Sequence, residues 1–207
     1  TGVSIIEANY NTELGKQKVD FGIKFSDLPS DILASQSKGF EWLAALDAPI
    51  SGALRGSLDS NGELGSINTT LDISAGALQP DLSSKPLKFS SLKTYFTYDP
   101  VRQVLAFDNV ILNSSDLSFS AEGNAFVEVG ENEEGGLIGQ FRLNNISANP
   151  LSYYKSSKKI DFATVEFRLF LDPFEVQLEQ IYLSDIASDL EARGSARFAT
   201  DEGGWSI

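Results

Sequence analysis

Apolar and polar residues alternate along most of this chain with a period of two. Val19-Asp20-Phe21-Gly22-Ile23-Lys24-Phe25 is apolar at odd positions, and so is Val165-Glu166-Phe167-Arg168-Leu169-Phe170-Leu171 apart from Phe170. Leu117, Phe119, Ala121, Gly123, Ala125 and Val127 share one face, while Ser118, Ser120, Glu122 and Asn124 take the other. Successive strand side chains point to opposite faces, so this pattern predicts antiparallel strands with one apolar and one wet face. About eleven such runs are expected, roughly at 3–9, 17–26, 49–58, 64–74, 91–98, 102–112, 116–128, 137–146, 163–171, 174–183 and 187–198.

Turn residues punctuate the runs. Asp59-Ser60-Asn61-Gly62-Glu63 contains Asn-Gly, which tolerates the positive φ of a tight hairpin. Tyr98-Asp99-Pro100 and Leu171-Asp172-Pro173 break two further pairs, because Pro cannot donate to a ladder. Glu131-Asn132-Glu133-Glu134-Gly135-Gly136 reads as a charged tip. Helix signal is sparse. Pro29 to Leu33 starts a short helix that continues or restarts through Phe40 to Leu46, and Asn149 to Tyr154 reads as another turn or two capped by Asn149.

The chain also resembles itself. At an offset of 71, Leu105/Val176, Phe107/Leu178, Val110/Ile181, Leu112/Leu183, Phe119/Leu190, Ala121/Ala192, Gly123/Gly194 and Ala125/Ala196 align without a gap. Asp99-Pro100 matches Asp172-Pro173 at offset 73, which predicts a turn two residues shorter in the second copy. Ile23-Lys24-Phe25 resembles Phe141-Arg142-Leu143, and each leads into a short helical segment. In both copies the apolar parity switches, from Leu105 and Phe107 to Val110 and Leu112, and from Val176 and Leu178 to Ile181 and Leu183. One extra residue near Asn109 and near Gln180 keeps the apolar set on one face, which is the action of a β-bulge. The expected organisation is a single β segment over 1–207, with repeat units of about 17–137 (carrying an extra hairpin at 48–79) and 138–200.

A sheet with one apolar face must bury it against something. The short helical stretches cannot cover eleven strands. Two solutions remain: the sheet folds on itself as a closed sandwich or barrel, or it stays a trough whose apolar inside meets a non-protein ligand. Bulges at equivalent places in successive units would curl it into such a trough.

Composition narrows the chemistry. The 207 residues contain no Cys, no His and no Met. A disulfide framework, a Ser–His–Asp triad, a Cys–His pair and a typical zinc site are therefore excluded. The net charge is −13, from 29 Asp and Glu against 16 Lys and Arg, which argues against a nucleic-acid partner. No stretch of 18 apolar residues exists, and Thr1 to Ile6 has neither a basic nor an apolar leader region. The chain reads as a fragment of a longer protein whose targeting segment lies upstream. Carboxylates such as Asp185/Asp189 and Glu131/Glu133/Glu134 read as solvated turns, since calcium needs six to eight converging oxygens. Lys155, Lys158 and Lys159 form a small basic cluster, read as a solvated loop with a headgroup contact as the functional alternative.

Leu46-Asp47-Ala48-Pro49-Ile50-Ser51-Gly52-Ala53-Leu54-Arg55-Gly56-Ser57-Leu58-Asp59-Ser60-Asn61-Gly62, followed by Ala75-Gly76-Ala77-Leu78, resembles a recurring segment of the AsmA-like family, the group of AsmA, TamB and YhdP. Phe107-Asp108-Asn109-Val110 with Leu117-Ser118-Phe119-Ser120-Ala121-Glu122-Gly123 is similar to that family's strand pair ending on a Gly-centred strand. The likeness lies in order and spacing over most of 17–200 and is greatest to YhdP-type periplasmic domains. It implies a mainly β fold: an antiparallel, strongly curved, groove-like sheet of about 10–11 strands with two or three short helices.

It also implies a non-enzymatic segment of a periplasmic bridge-like protein. Such a protein carries phospholipid between the inner and outer membranes of a Gram-negative bacterium and supports outer-membrane biogenesis. It would be anchored to the inner membrane by a segment not in this chain. No catalytic residue, cofactor or metal is implied. The expected partners are phospholipid or another acyl-chain ligand, and further β-groove repeats of the same chain. The lipid-facing residues would be Phe21, Ile23, Phe25, Phe96, Leu105, Phe107, Leu117, Phe119, Phe141, Leu143, Phe167, Leu169, Val176, Leu178 and Leu190. The alternative is a self-contained β-sandwich used as a scaffold or adhesion module, without lipid.

Overall fold

Alternating residues favour extended backbone, and the chain converts nearly all of its alternating runs into strands. The computed structural model describes residues 3–12, 18–36, 38–79, 86–128, 135–149, 156–171, 174–185, 188–199 and 204–206. The large sheet uses β1 (Ile5–Thr12), β2 (Val19–Pro29), β4 (Pro49–Leu58), β5 (Ile67–Ile73), β8 (Ser91–Asp99), β9 (Val104–Asn113), β10 (Leu117–Glu128), β11 (Gly136–Ala148), β12 (Lys158–Leu171), β13 (Phe174–Asp185), β14 (Ser188–Ala199) and β15 (Gly204–Ser206), in that spatial order. Every neighbouring pair is antiparallel. The order is a plain meander, with β1 and β15 at its two edges, so the sheet does not close into a barrel.

A second sheet holds only β3 (Leu46–Asp47), β6 (Gly76–Leu78) and β7 (Leu87–Phe89), in the order β3-β6-β7. Helix is confined to α1 (Ser30–Ala34) and a 3₁₀ segment, Lys38–Ala45. The mainly β, antiparallel expectation is met. The large sheet holds twelve strands, because β15 adds a short edge. The three strands of the small sheet were also not anticipated. The expected turn over 150–154, the charged tip over 131–134 and Lys155 lie outside the described residues.

The small elements cover one end of the large sheet's apolar face. Ala34, Leu43, Leu46 and Ala48 bury Ile50 and Ile73, and Phe25, Leu33, Phe89 and Leu92 pack around them. Backbone bonds lock the cap: Gln79 N donates to Ala45 O at 2.8 Å and Ser74 N to Pro49 O at 3.1 Å. The Ser30 hydroxyl donates to Leu46 O, so its burial leaves no unmet polar group.

Two irregularities recur with the spacing of the sequence repeat. On β8·β9, Tyr95 pairs Asn109 and Phe96 pairs Phe107, leaving Asp108 as the extra residue. On β12·β13, Glu166 pairs Gln180 and Phe167 pairs Leu178, leaving Glu179. The same positions are bulged against the following strand, where Ala121/Gly123 face Val110/Phe107 and Ala192/Gly194 face Ile181/Leu178. All these pairs differ by 71 in number. The offset also holds through the turn, since Asp99 pairs Val104 and Phe170 pairs Glu175. The connection is two residues shorter in the second hairpin, 172–173 against 100–103, as expected; the shortening comes from one more rung, Leu171 with Phe174, while the offset of 71 runs on unbroken, so the Asp-Pro pairs are not equivalent in register.

A further bulge pair follows Ile23-Lys24-Phe25 and Phe141-Arg142-Leu143. Asp27 and Asn145, 118 residues apart like the segments preceding them, both have φ of 53°. Each sits at a register shift, on β2 against β4 and on β11 against β10. Asp and Asn tolerate this left-handed conformation and β-branched residues do not. Replacing Asp27 or Asn145 by Val is expected to cost about 1–2 kcal/mol each, whereas Gly is tolerated. Urea unfolding of the four variants checks this.

Candidate functional site

The candidate site is the apolar face of the large sheet. Paired residues on antiparallel strands project to the same side. One rung runs Ile23, Leu54, Thr69, Phe96, Phe107, Gly123, Phe141, Val165 and Ile181. The next runs Phe25, Gly52, Leu71, Thr94, Val110, Ala121, Leu143, Ala163, Leu183 and Leu190. Tyr98, Leu105, Ala125, Gly139, Phe167 and Leu178 form a third. Phe21, Leu117, Phe119, Leu169 and Val176 fall on the same side by strand alternation. The register thus brings all fifteen expected residues onto one face. The bulges at Asp108, Asn145 and Glu179 keep it continuous, because each absorbs the parity switch.

Burial on this face is uneven in an informative way. None of the fifteen is buried: Ile23 is 40% exposed, Leu117 38%, Leu190 57%, and the others are half-buried. The buried residues across β10, β11 and β12 are mostly small, with Ala121 at 5% and Ala125 and Ala163 at 0%. Small residues are covered by their larger neighbours, whose outer sides stay open. Among the described residues, that is the pattern of a single layer over this part of the sheet. Among the described residues, large side chains such as Ile50 and Ile73 are enclosed at the capped end, at 4% and 9%, and outside that cluster Ile146 on β11 is enclosed at 4%.

Four rings cross the middle of the face. Phe96 and Phe107 have centroids 5.2 Å apart, Phe107 and Phe141 5.1 Å, and Phe141 and Phe167 5.4 Å with the last pair stacked. Phe107 and Phe141 lie two strands apart, about 10 Å, and meet only because Gly123 stands between them. The same device recurs in direct cross-strand pairs: Phe21 opposite Gly56, Phe25 opposite Gly52, Phe141 opposite Gly123 and Phe167 opposite Gly139. A Cβ on these glycines would come within 2.6–2.8 Å of the facing ring. The rings fill gaps that strand glycines leave, an arrangement that stabilises weak strand positions. These glycines were missed as site residues. Their signal in the sequence was a glycine at apolar parity, and it becomes readable only once the partner strand is known.

The opposite face is polar and carries shallow hollows. One of about 750 Å³ includes Asp108, Glu122, Gln140, Arg142, Glu166 and Glu179. The extra residues Asp108 and Glu179 both line it. Its groups do not converge on a reacting atom: Gln140 Nε2 donates to Glu166 at 2.8 Å, and the Arg142 guanidinium turns over the Phe162 ring at 6.0 Å. A second, of about 500 Å³, lies between Lys24, Asp72, Lys93 and Tyr95, and there Lys93 is paired with Asp72 at 2.7 Å. Among the described residues no group of three acidic side chains is placed to hold a metal, and no helix is long and apolar enough to cross a membrane. Lys158 and Lys159 open β12 and are exposed. Comparison of the chain with family models, with curated proteins and with solved structures finds no match.

Proposed function

We propose that this chain is a non-enzymatic segment of a periplasmic, bridge-like protein of the AsmA-like kind, in which phospholipid acyl chains travel along the apolar face between the inner and outer membranes. The observation that carries this reading is the uncovered face itself. Among the described residues, the sheet presents a continuous apolar surface from β1 to β14, and outside the capped end its large residues other than Ile146 stay at least half-open. Exposed apolar patches rarely exceed several hundred Å², and larger ones mark a binding surface. Acyl chains need only apolar walls, which accounts for a face without a distinctive polar residue.

Curvature into a trough is supported by one long-range approach. The 3₁₀ segment packs over β4 and β5, yet it also lies within 8 Å, Cα to Cα, of β13. β13 is seven places beyond β4 in the sheet, about 34 Å away if the sheet were flat. Eight 3₁₀ residues extend only about 16 Å, which favours a sheet that curls to bring the two together.

The edge strand β1 is exposed at all eight positions and offers an unpaired edge for a further repeat of the same chain. A self-contained sandwich would need a second layer over Phe107, Phe141 and Phe167. Among the described residues a second layer covers only the end near Ile50 and Ile73. The test is to incubate the purified chain with phospholipid vesicles, separate the two by gel filtration, and assay the protein fraction for lipid phosphorus. Lipid eluting with the protein is expected; protein free of lipid after prolonged incubation counts against a lipid groove.

A further inference from the structure

β1 repeats β10. At an offset of 115, Glu7 and Asn9 match Glu122 and Asn124, with the small Ala8 and Gly123 between them. The register agrees. The rungs from Ile5 with Ser26 to Thr12 with Val19 correspond one by one to those from Ser120 with Asn144 to Val127 with Leu137. The partner strands β2 and β11 stand 118 residues apart throughout, the offset that also relates Asp27 to Asn145. β14 is a third member of the set, 71 residues beyond β10.

β10 and β14 each have a neighbour on the side where β1 has none. β9 lies beside β10 and β13 beside β14, whereas among the described residues no strand pairs with the outer edge of β1. The two neighbours share a four-residue pattern: large apolar, acid, amide, β-branched. It reads Phe107-Asp108-Asn109-Val110 in β9 and Leu178-Glu179-Gln180-Ile181 in β13. In both, the first residue faces a glycine, Gly123 or Gly194, and the fourth faces an alanine, Ala121 or Ala192. Two residues thus lie opposite one, which makes the bulge.

The edge of β1 is open to such a strand. Ile5–Thr12 carries no Lys, Arg or Pro and pairs with β2 without a register shift, so none of the usual devices blunts it. In the middle of the sheet Phe107 reaches past Gly123 to Phe141, with centroids 5.1 Å apart. The residues equivalent to Gly123 and Phe141 are Ala8 and Ile23, and Ile23 is 40% exposed. A large apolar side chain opposite Ala8 would cover it.

We infer that the outer edge of β1 receives a bulged antiparallel strand of the β9 and β13 kind from a further repeat of the same chain, with a large apolar residue opposite Ala8, a β-branched residue opposite Ile6, and an acid and an amide between them. This deepens the reading of β1 as the contact for a further repeat, and it does not depend on lipid. Strand addition draws affinity from backbone hydrogen bonds and selectivity from alternate side chains. The bulge is the selective element. Without it, a strand that seats its apolar residue opposite Ala8 turns the rest of its apolar set to the wrong face.

The test titrates the purified chain against a labelled peptide of the sequence Arg102–Asn113, read by fluorescence anisotropy, beside the same peptide lacking Asp108. The intact peptide is expected to bind about tenfold more tightly. Ala8→Asp should weaken its binding about tenfold without lowering the unfolding midpoint, because Ala8 is exposed. Val101→Asp, a similar change at a turn residue that is 90% exposed, should leave binding unchanged. Equal binding of the two peptides, or undiminished binding to the Ala8→Asp chain, overturns the inference. So does self-association of the chain that Ala8→Asp abolishes and the peptide cannot displace, which would seat a second copy on β1. Lipid uptake without peptide binding overturns the inference and leaves the groove standing. Selective peptide binding without lipid uptake upholds it and counts against the groove.

Discussion

Gly123→Ala is expected to destabilise the chain by about 2–3 kcal/mol, and Gly194→Ala by less than about 0.5 kcal/mol. The two glycines occupy equivalent positions on β10 and β14, 71 residues apart and each beside a bulge. Their surroundings differ. A Cβ at Gly123 would collide with the Gln140 carbonyl oxygen and lie 2.8 Å from Phe141 Cδ1, whereas a Cβ at Gly194 meets nothing within 4 Å. A carbonyl on the neighbouring strand cannot swing aside as a side-chain tip can. The methyl group must therefore push Phe141 off its strand or part β10 from β11. Either movement also disturbs the contacts of Phe141 with Phe107 and Phe167. Urea unfolding with an unchanged m-value measures both variants. Equal losses at the two sites would contradict the packing of Phe141 over β10.

Charge substitution should separate the capped end of the apolar face from its open middle. Ile50→Asp is expected to cost more than about 4 kcal/mol, because Ile50 is 4% exposed and enclosed by Leu43, Leu46 and Ile73. Phe167→Asp should cost only about 1–2 kcal/mol, mainly the stacking on Phe141, since water can reach a carboxylate there. On the lipid reading Phe167→Asp should nonetheless abolish uptake, because a charge on the wall opposes hydrocarbon. Phe119→Asp should behave like Phe167→Asp. Unfolding midpoints read beside lipid uptake decide this. Global unfolding by Phe167→Asp, equal to that of Ile50→Asp, would mean that the middle of the face is an enclosed core.

The strands were legible because their alternation is local: each residue's face follows from its own run. The bulges were legible for the same reason, since a parity switch at Phe107/Val110 and Leu178/Ile181 has no other economical cause. Strands of two or three residues, such as β3, β6, β7 and β15, are shorter than one period of the pattern and leave no signal. β12 begins earlier than expected because Lys158-Lys159-Ile160-Asp161 is too polar to read as strand, and its pairing with β11 supplies what its composition does not. The glycines beneath Phe141 and Phe167 were illegible as site elements because their role depends on register between strands. The extent of cover was illegible too, since alternation says which face is apolar and not what lies over it.

The central claim, that the apolar face meets lipid, is tested most directly by photocrosslinking in the cell envelope. A photoreactive phenylalanine analogue is placed at Phe119 or Phe167 on the apolar face, or at Phe126 on the polar face, where the ring is 55% exposed. Phe126 is a stringent control, being aromatic and more open to solvent than either test position. The account predicts phospholipid adducts at Phe119 and Phe167 and none at Phe126. Absence of adducts at Phe119 and Phe167, or equal labelling at Phe126, would contradict it.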